Sequence, residues 1–198
     1  MTSSNPAGSS ILEFIETCIF TYLHNRKIYA AHTFDRRRAF DLIVYRSRQT
    51  ELVSYIEDSL RSVQDFLQNG ELQQLCAVLA DRDGNVAERL DFLFIKSGAA
   101  QTERITVIPK DFARATLIRL MRLQLPDFLC TEFSLAFEVF ESSIDGGRTS
   151  SDEKLITRDQ PRMEVANERV KKTTIPIVTI PDSGSGLKLC IKLETSLL

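Results

Sequence analysis

Ile175-Pro176-Ile177-Val178-Thr179-Ile180 and Leu187-Lys188-Leu189-Cys190-Ile191-Lys192-Leu193 are two apolar, strand-forming runs near the end of the chain. What precedes them decides their meaning. From Ser142 to Lys172 the sequence holds Gly146-Gly147, Thr149-Ser150-Ser151 and many charges, with Ile144, Leu155, Ile156, Met163 and Val165 as its few apolar anchors. A stretch of that composition cannot bury much surface by itself. Strands that resume after roughly 30 such residues are unusual in a compact domain, where long core-poor segments are usually functional or disordered. Pro181-Asp182-Ser183-Gly184-Ser185-Gly186 reads as the connector between the two runs.

Upstream, Thr131 to Glu141 alternates. Phe133, Leu135, Phe137 and Val139 face one way, and Glu132, Ser134, Ala136 and Glu138 the other, as in a half-buried strand. Before it, Pro109-Lys110-Asp111 opens a helix, with a proline and an early acid suited to its N-terminus. Phe112, Leu117, Leu120, Met121, Leu125 and Phe128 form its buried side; Arg114, Arg119 and Arg122 mark another. Leu75–Ala80 and Ala87–Lys96 flank Asp81-Arg82-Asp83-Gly84-Asn85, which predicts a hairpin. Gln49–Gln68 reads as one amphipathic helix with Leu52, Ile56, Leu60, Val63 and Leu67 inward and Asn69-Gly70 as its stop. In Phe34–Tyr45 only the second half has strand character, and Arg36-Arg37-Arg38 reads as a solvated loop ahead of it. From Ser10 the series Ile11, Phe14, Ile15, Cys18, Ile19, Tyr22 and Leu23 marks one face of a helix, with Leu12 and Phe20 adding apolar surface elsewhere. Residues 1–9 read as a flexible lead-in. The order argues an α+β domain with a mainly antiparallel sheet.

The 198 residues suit one well-packed domain. A formal net charge of −2 gives no global drive toward nucleic acid or anionic membrane. Cys18, Cys76, Cys130 and Cys190 form no C-x-x-C pair and sit among apolar residues, so they are expected to be buried thiols of a reducing compartment. Neither His24 nor His32 has the close ligand spacing that zinc requires, and no metal or other cofactor is expected. The small, polar start lacks a signal-peptide pattern, and no apolar run reaches bilayer length, so a soluble intracellular protein is expected.

No residue set carries a catalytic signature. Gly184-Ser185-Gly186 is too short for a phosphate-binding loop and lacks the strand–glycine–helix setting. There is no Gly-x-Ser-x-Gly elbow, and Glu57-Asp58 sits on the polar side of a helix, where solvated charge is the default. His24, at a helix end, reads as a capping or surface group. Arg119 and Arg122, one turn apart, make a small cationic surface that is either a solvated face or a protein contact.

The order of elements, with strands resuming after the core-poor segment, resembles the HORMA fold. Four pieces carry a closer likeness: Phe34-Asp35-Arg36-Arg37-Arg38-Ala39-Phe40; Leu52-Val53-Ser54-Tyr55-Ile56-Glu57-Asp58-Ser59-Leu60; Val78-Leu79-Ala80-Asp81-Arg82-Asp83 running into Glu88-Arg89-Leu90-Asp91-Phe92-Leu93-Phe94; and Ile175-Pro176-Ile177 followed by the final strand to Glu194. By their order and spacing they resemble one branch of the HORMA-domain family, the non-catalytic accessory subunits of translesion DNA polymerase zeta.

That resemblance implies a HORMA core over residues 10–143, with three core helices, and a mobile C-terminal safety belt over 144–198. It implies an adaptor whose belt wraps a proline-containing peptide of the polymerase zeta catalytic subunit, in the nucleus, with the cytoplasm as the alternative compartment. Carried over residue by residue, Tyr55 matches a helix tyrosine that contacts the peptide, and Thr174 and Ile175 fall where the belt approaches it. Leu187, Leu189, Cys190 and Lys192 belong to the final strand of the belt. Relatives place glutamine and tyrosine where this chain has Cys190 and Lys192, which bears on which partner motif is read. Arg119 matches an arginine central to HORMA dimerisation, with Arg122 beside it. The implied partners extend to an inserter translesion polymerase, a HORMA-remodelling AAA+ ATPase and a second HORMA chain. Spindle-checkpoint signalling or chromosome-axis assembly is the alternative role within the family. A direct DNA-binding module using Arg36–Arg38 and the helix arginines Arg114, Arg119 and Arg122 is the reading from another class.

Overall fold

The computed structural model describes residues 9–96, 107–124, 133–141, 172–179 and 187–196. The expected helix positions Leu125 and Phe128, Cys130, the connector 181–186 and most of the expected mobile belt lie outside them. The chain divides into two units, Met1–Gln64 with Arg104–Phe128, and Asp65–Glu103 with Leu129–Leu198.

In the first unit, β1 (Ser9–Ser10) leads directly into α1 (Ile11–Asn25). Ser10 caps the helix by accepting the Leu12 N–H at 3.3 Å, and Glu13 lies in its first turn, where an acid favours the helix dipole. The predicted apolar series is buried throughout, and Phe20 and Thr21 are buried as well, so α1 is enclosed on more than one side. Each such large apolar side chain contributes about 1.5–3 kcal/mol.

A 3-10 turn (Ala31–Thr33) precedes β2 (Phe34–Ala39), which pairs antiparallel with β3 (Leu42–Ser47), from Phe34 opposite Ser47 to Ala39 opposite Leu42. This corrects the expectation of a loop at Arg36-Arg37-Arg38: the three arginines are on β2, all exposed. The turn is Phe40-Asp41, both left-handed at φ 51° and 57°. A two-residue hairpin turn of this kind wants positive φ at both positions. Here a phenylalanine adopts it because its ring is 7% exposed and meets Phe14 edge-on at 5.8 Å.

α2 (Thr50–Ser62) ends at the buried Val63, and a short α3 (Gln64–Gln68) follows, where one helix was expected. Ser59 Oγ and Ser62 Oγ each donate to a carbonyl of the preceding turn, Tyr55 O and Ser59 O, at 2.7 Å. Such back-bonding competes with helix continuation. β6 (Val107–Ile108) pairs with β1 and leads to α4 (Lys110–Arg122), whose first carbonyl, that of Pro109, accepts the Ala113 N–H at 3.0 Å. Asn25 Nδ2 donates to Leu120 O and Leu123 O, at 2.9 and 3.1 Å, and so closes the C-terminal end of α4 from α1.

The second unit is a five-stranded antiparallel sheet. Its strands are β4 (Leu72–Asp81), β5 (Val86–Lys96), β7 (Phe133–Glu141), β8 (Lys172–Thr179) and β9 (Leu187–Ser196), in the order β7-β4-β5-β9-β8. The β4–β5 turn forms as the sequence predicts: Asp81 Oδ1 accepts the N–H groups of Asp83 and Asn85 at 2.9 and 2.8 Å, and Gly84 takes φ 83°. β4 lies between β7 and β5, and Leu75 through Leu79 are buried on both faces.

Candidate functional site

The C-terminal strands form a hairpin joined to the sheet through β9, which pairs with β5 on one side and β8 on the other. Alternation divides the β9 residues. Leu189, Ile191 and Leu193 are buried, at 1% exposure or less, while Cys190, Lys192 and Glu194 point to the opposite face and are half-buried. Leu189 is therefore not on the side that carries Cys190 and Lys192. Leu187 begins the strand. On β8, Thr174 is exposed and opposes Glu194, and Ile175 is half-buried and opposes Leu193.

The face bearing Lys192 carries a row of charge. Register aligns Glu138 of β7, Cys76 of β4, Asp91 of β5 and Lys192 of β9. The Asp91 side chain is 1% exposed, with Lys192 Nζ at 3.4 Å and Arg89 Nε at 3.6 Å. Arg89 Nη2 donates to Glu138 Oε2 at 2.6 Å and to Cys76 Sγ at 3.3 Å, and Lys192 Nζ donates to Glu194 Oε1 at 2.7 Å. The bond to Glu194, opposed by desolvation and aided by Asp91, holds the Lys192 ammonium above its ordinary pKa. Burial pushes the Cys76 thiol up to about 12, which removes it as a nucleophile at neutral pH. The four expected buried thiols thus differ: Cys18 and Cys76 are buried and Cys190 is only half so. Sequence reasoning missed the buried ions because alternating charge reads as a solvated face.

In the five-stranded sheet two strands, β7 and β8, have one neighbour each among the described residues. They differ as templates. β8 carries Pro176, which has no N–H to donate, and its register with β9 is irregular between Pro176 and Val178. Proline and a bulge are what blunt an edge strand. β7 holds a continuous register with β4 from Phe140 to Phe133 and contains no proline. The chain leaves β7 at Glu141, opposite Leu72, and re-enters at Lys172, opposite Ser196, which is the diagonally opposite corner of the sheet. By strand spacing and rise those corners lie about 35 Å apart, whereas the 31 links from Glu141 to Lys172 can extend about 100 Å.

The other expected site residues are in the first unit. Tyr55 is on α2, 42% exposed, and desolvation, opposed by Ser59, raises its phenol pKa. Arg119 and Arg122 lie exposed in the last turn of α4. His24 is not a plain surface group: its ring stacks on Tyr45 at 3.6 Å and meets Phe34 edge-on at 5.2 Å, and burial lowers its pKa. Glu57 is paired too. Arg46 joins it to Glu16, the latter at 2.9 Å, and lies over the Phe20 ring. Among the described residues no group of three or more His, Cys, Asp or Glu could hold a metal ion.

The strand order and the C-terminal hairpin on β5 define a protein of HORMA fold. Within that class the chain resembles the line of MAD2B and polymerase zeta processivity subunits. A chain of the crystal structure of the mitotic checkpoint complex superposes with a TM-score of 0.70 at 18% identity, covering 94% of this chain and 97% of that one. C. elegans HTP-2 bound to the HIM-3 closure motif does so with 0.64 at 14%, covering 94% and 89%. In sequence, MAD2B of Gallus gallus is 29% identical over 80 residues, 40% of this chain and 38% of its own length. The DNA polymerase zeta processivity subunit of Arabidopsis thaliana is 27% identical over 89 residues, 45% and 41%. The spindle checkpoint component MAD2 of Saccharomyces cerevisiae is 33% identical over 84 residues, 42% and 43%. The chain thus spans about two fifths of the length of these curated relatives. No family model matches it.

Proposed function

We propose that this chain is a non-catalytic adaptor that captures a proline-containing peptide of the polymerase zeta catalytic subunit, as accessory subunit in translesion synthesis and DNA-damage tolerance in the nucleus. The observation that carries the reading is the pair of edges. Among the described residues β7 is a regular, proline-free edge of the sheet, and the chain that leaves it returns at the opposite corner with about three times the length it needs. A peptide adding to β7 gains main-chain hydrogen bonds, and a connection of that length has the slack to pass around it. An encircling strap slows release, so affinity resides in the off-rate. In this reading the core is 10–143 and the belt 144–198; Tyr55, Thr174, Ile175, Leu187, Leu189, Cys190 and Lys192 serve capture, and Arg119 and Arg122 serve HORMA pairing. An inserter polymerase and a remodelling AAA+ ATPase are further partners.

The likeness to the processivity subunit of Arabidopsis thaliana favours the polymerase role. The 33% identity to yeast MAD2 favours the second reading, a checkpoint adaptor with the same capture device. Co-purification with a proline-containing fragment of the polymerase zeta catalytic subunit separates them. Stable capture, lost on truncation before Ile175 and weakened by Tyr55→Ala, is the expected result. A folded chain that ignores the fragment turns the assignment to the checkpoint reading, and capture undiminished by the truncation rules out the belt.

A further inference from the structure

β9 reaches β5 from far along the chain, with no tight turn to set its alignment. Its buried side cannot set it alone. Leu189, Ile191 and Leu193 pack on the side of Leu90, Phe92 and Phe94. A slip of one residue would turn every side chain to the wrong face. A slip of two keeps the faces and exchanges one aliphatic residue for another, so that the buried side differs mainly at its end, where Thr195 opposes the buried Glu88.

The other side discriminates. In the observed register Asp91 opposes Lys192 and Arg89 opposes Glu194. Slipping two residues in one direction sets Glu194 against Asp91; in the other direction it sets Lys192 against Arg89. Both neighbouring alignments oppose like charges, and one does so at a carboxylate 1% exposed. Like charges directly opposite destabilise a strand pair, and a buried carboxylate without its cation is costly.

We propose that Arg89 and Asp91 on β5, read by Lys192 and Glu194 on β9, form a charge code that selects the single register in which the C-terminal hairpin docks. The code places Thr174 and Ile175 and fixes the corner at which the chain re-enters the sheet. It goes beyond the adaptor reading and does not depend on which peptide is captured.

Lys192→Glu combined with Glu194→Lys tests it, because composition, net charge and the buried side are all preserved. The observed alignment then opposes like charges at both positions, whereas a two-residue slip sets the new lysine at position 194 against Asp91. Two cysteine reporters read the outcome by mild oxidation and mass spectrometry. Leu93→Cys faces Cys190 in the observed register, and Ile95→Cys faces it after that slip. With the native charges the Leu93→Cys disulfide should exceed the Ile95→Cys disulfide by about tenfold or more, and in the double variant the ratio should fall at least about tenfold. An unchanged ratio in a folded double variant, or loss of both disulfides, would overturn the code. Glu194→Lys alone keeps Lys192 on Asp91 and safeguards folding. It should raise the Ile95→Cys product several-fold, and no rise would overturn the code as well.

Discussion

The two hairpins, β2–β3 and β8–β9, solve the same problem by different means. β2 and β3 are neighbours in sequence, so a two-residue turn at Phe40-Asp41 sets their register, and its strained backbone is held by the packing of Phe40 on Phe14. β9 pairs with a strand about 100 residues away (Asp91 opposite Lys192), and there the discrimination falls to opposed charges. Local pairing can be set by turn geometry; distant pairing has to be recognised across the sheet. For a hairpin that docks as a unit, a code on its own side chains is the appropriate device.

The comparison can be broken from either side. Phe14→Ala removes a fully buried ring from the anchor of the first hairpin and should cost about 3–5 kcal/mol in chemical denaturation, leaving the β5–β9 contacts seen by NMR in place. Arg89→Met leaves Glu138 and part of the Asp91 charge uncompensated, and about 3 kcal/mol of destabilisation is expected. Asp41→Gly relieves one left-handed residue and should stabilise by about 1 kcal/mol, sharpening the claim that the turn is strained.

The smallest effect concerns pH. Burial against Tyr45 and Phe34 lowers the His24 pKa from 6.5, so the unfolded chain takes up the proton before the folded one does. Its share of stability is complete above pH 6.5 and is lost as the pH falls from there through the lower folded value. His24→Phe should flatten that part of the stability profile; an unchanged slope would remove His24 as its cause.

Much of this architecture was legible in the sequence. The α1 series, the Asp81–Asn85 turn, the alternation of β7 and the two late strands all follow from periodicity and turn chemistry. β2 was not, because a strand with one partner and an exposed run of Arg36, Arg37 and Arg38 shows no apolar alternation. The Phe40-Asp41 turn lacks the glycine or asparagine that announces such turns, and packing rather than propensity holds it. The break at Val63 was hidden because Leu60, Val63 and Leu67 keep helical spacing across it. For the candidate site, the late strands were readable as strands. That Leu189 and Lys192 face opposite ways, and that Asp91 is buried with a cation on either side, emerges only from the strand register.

Amide hydrogen exchange along β7 tests the central claim most directly. With a proline-containing fragment of the polymerase zeta catalytic subunit bound, the amides on the outer side of β7 between Phe133 and Glu141 should gain protection in an alternating pattern, as a strand added there requires. A bound fragment that protects β8 and leaves β7 unchanged would contradict the account.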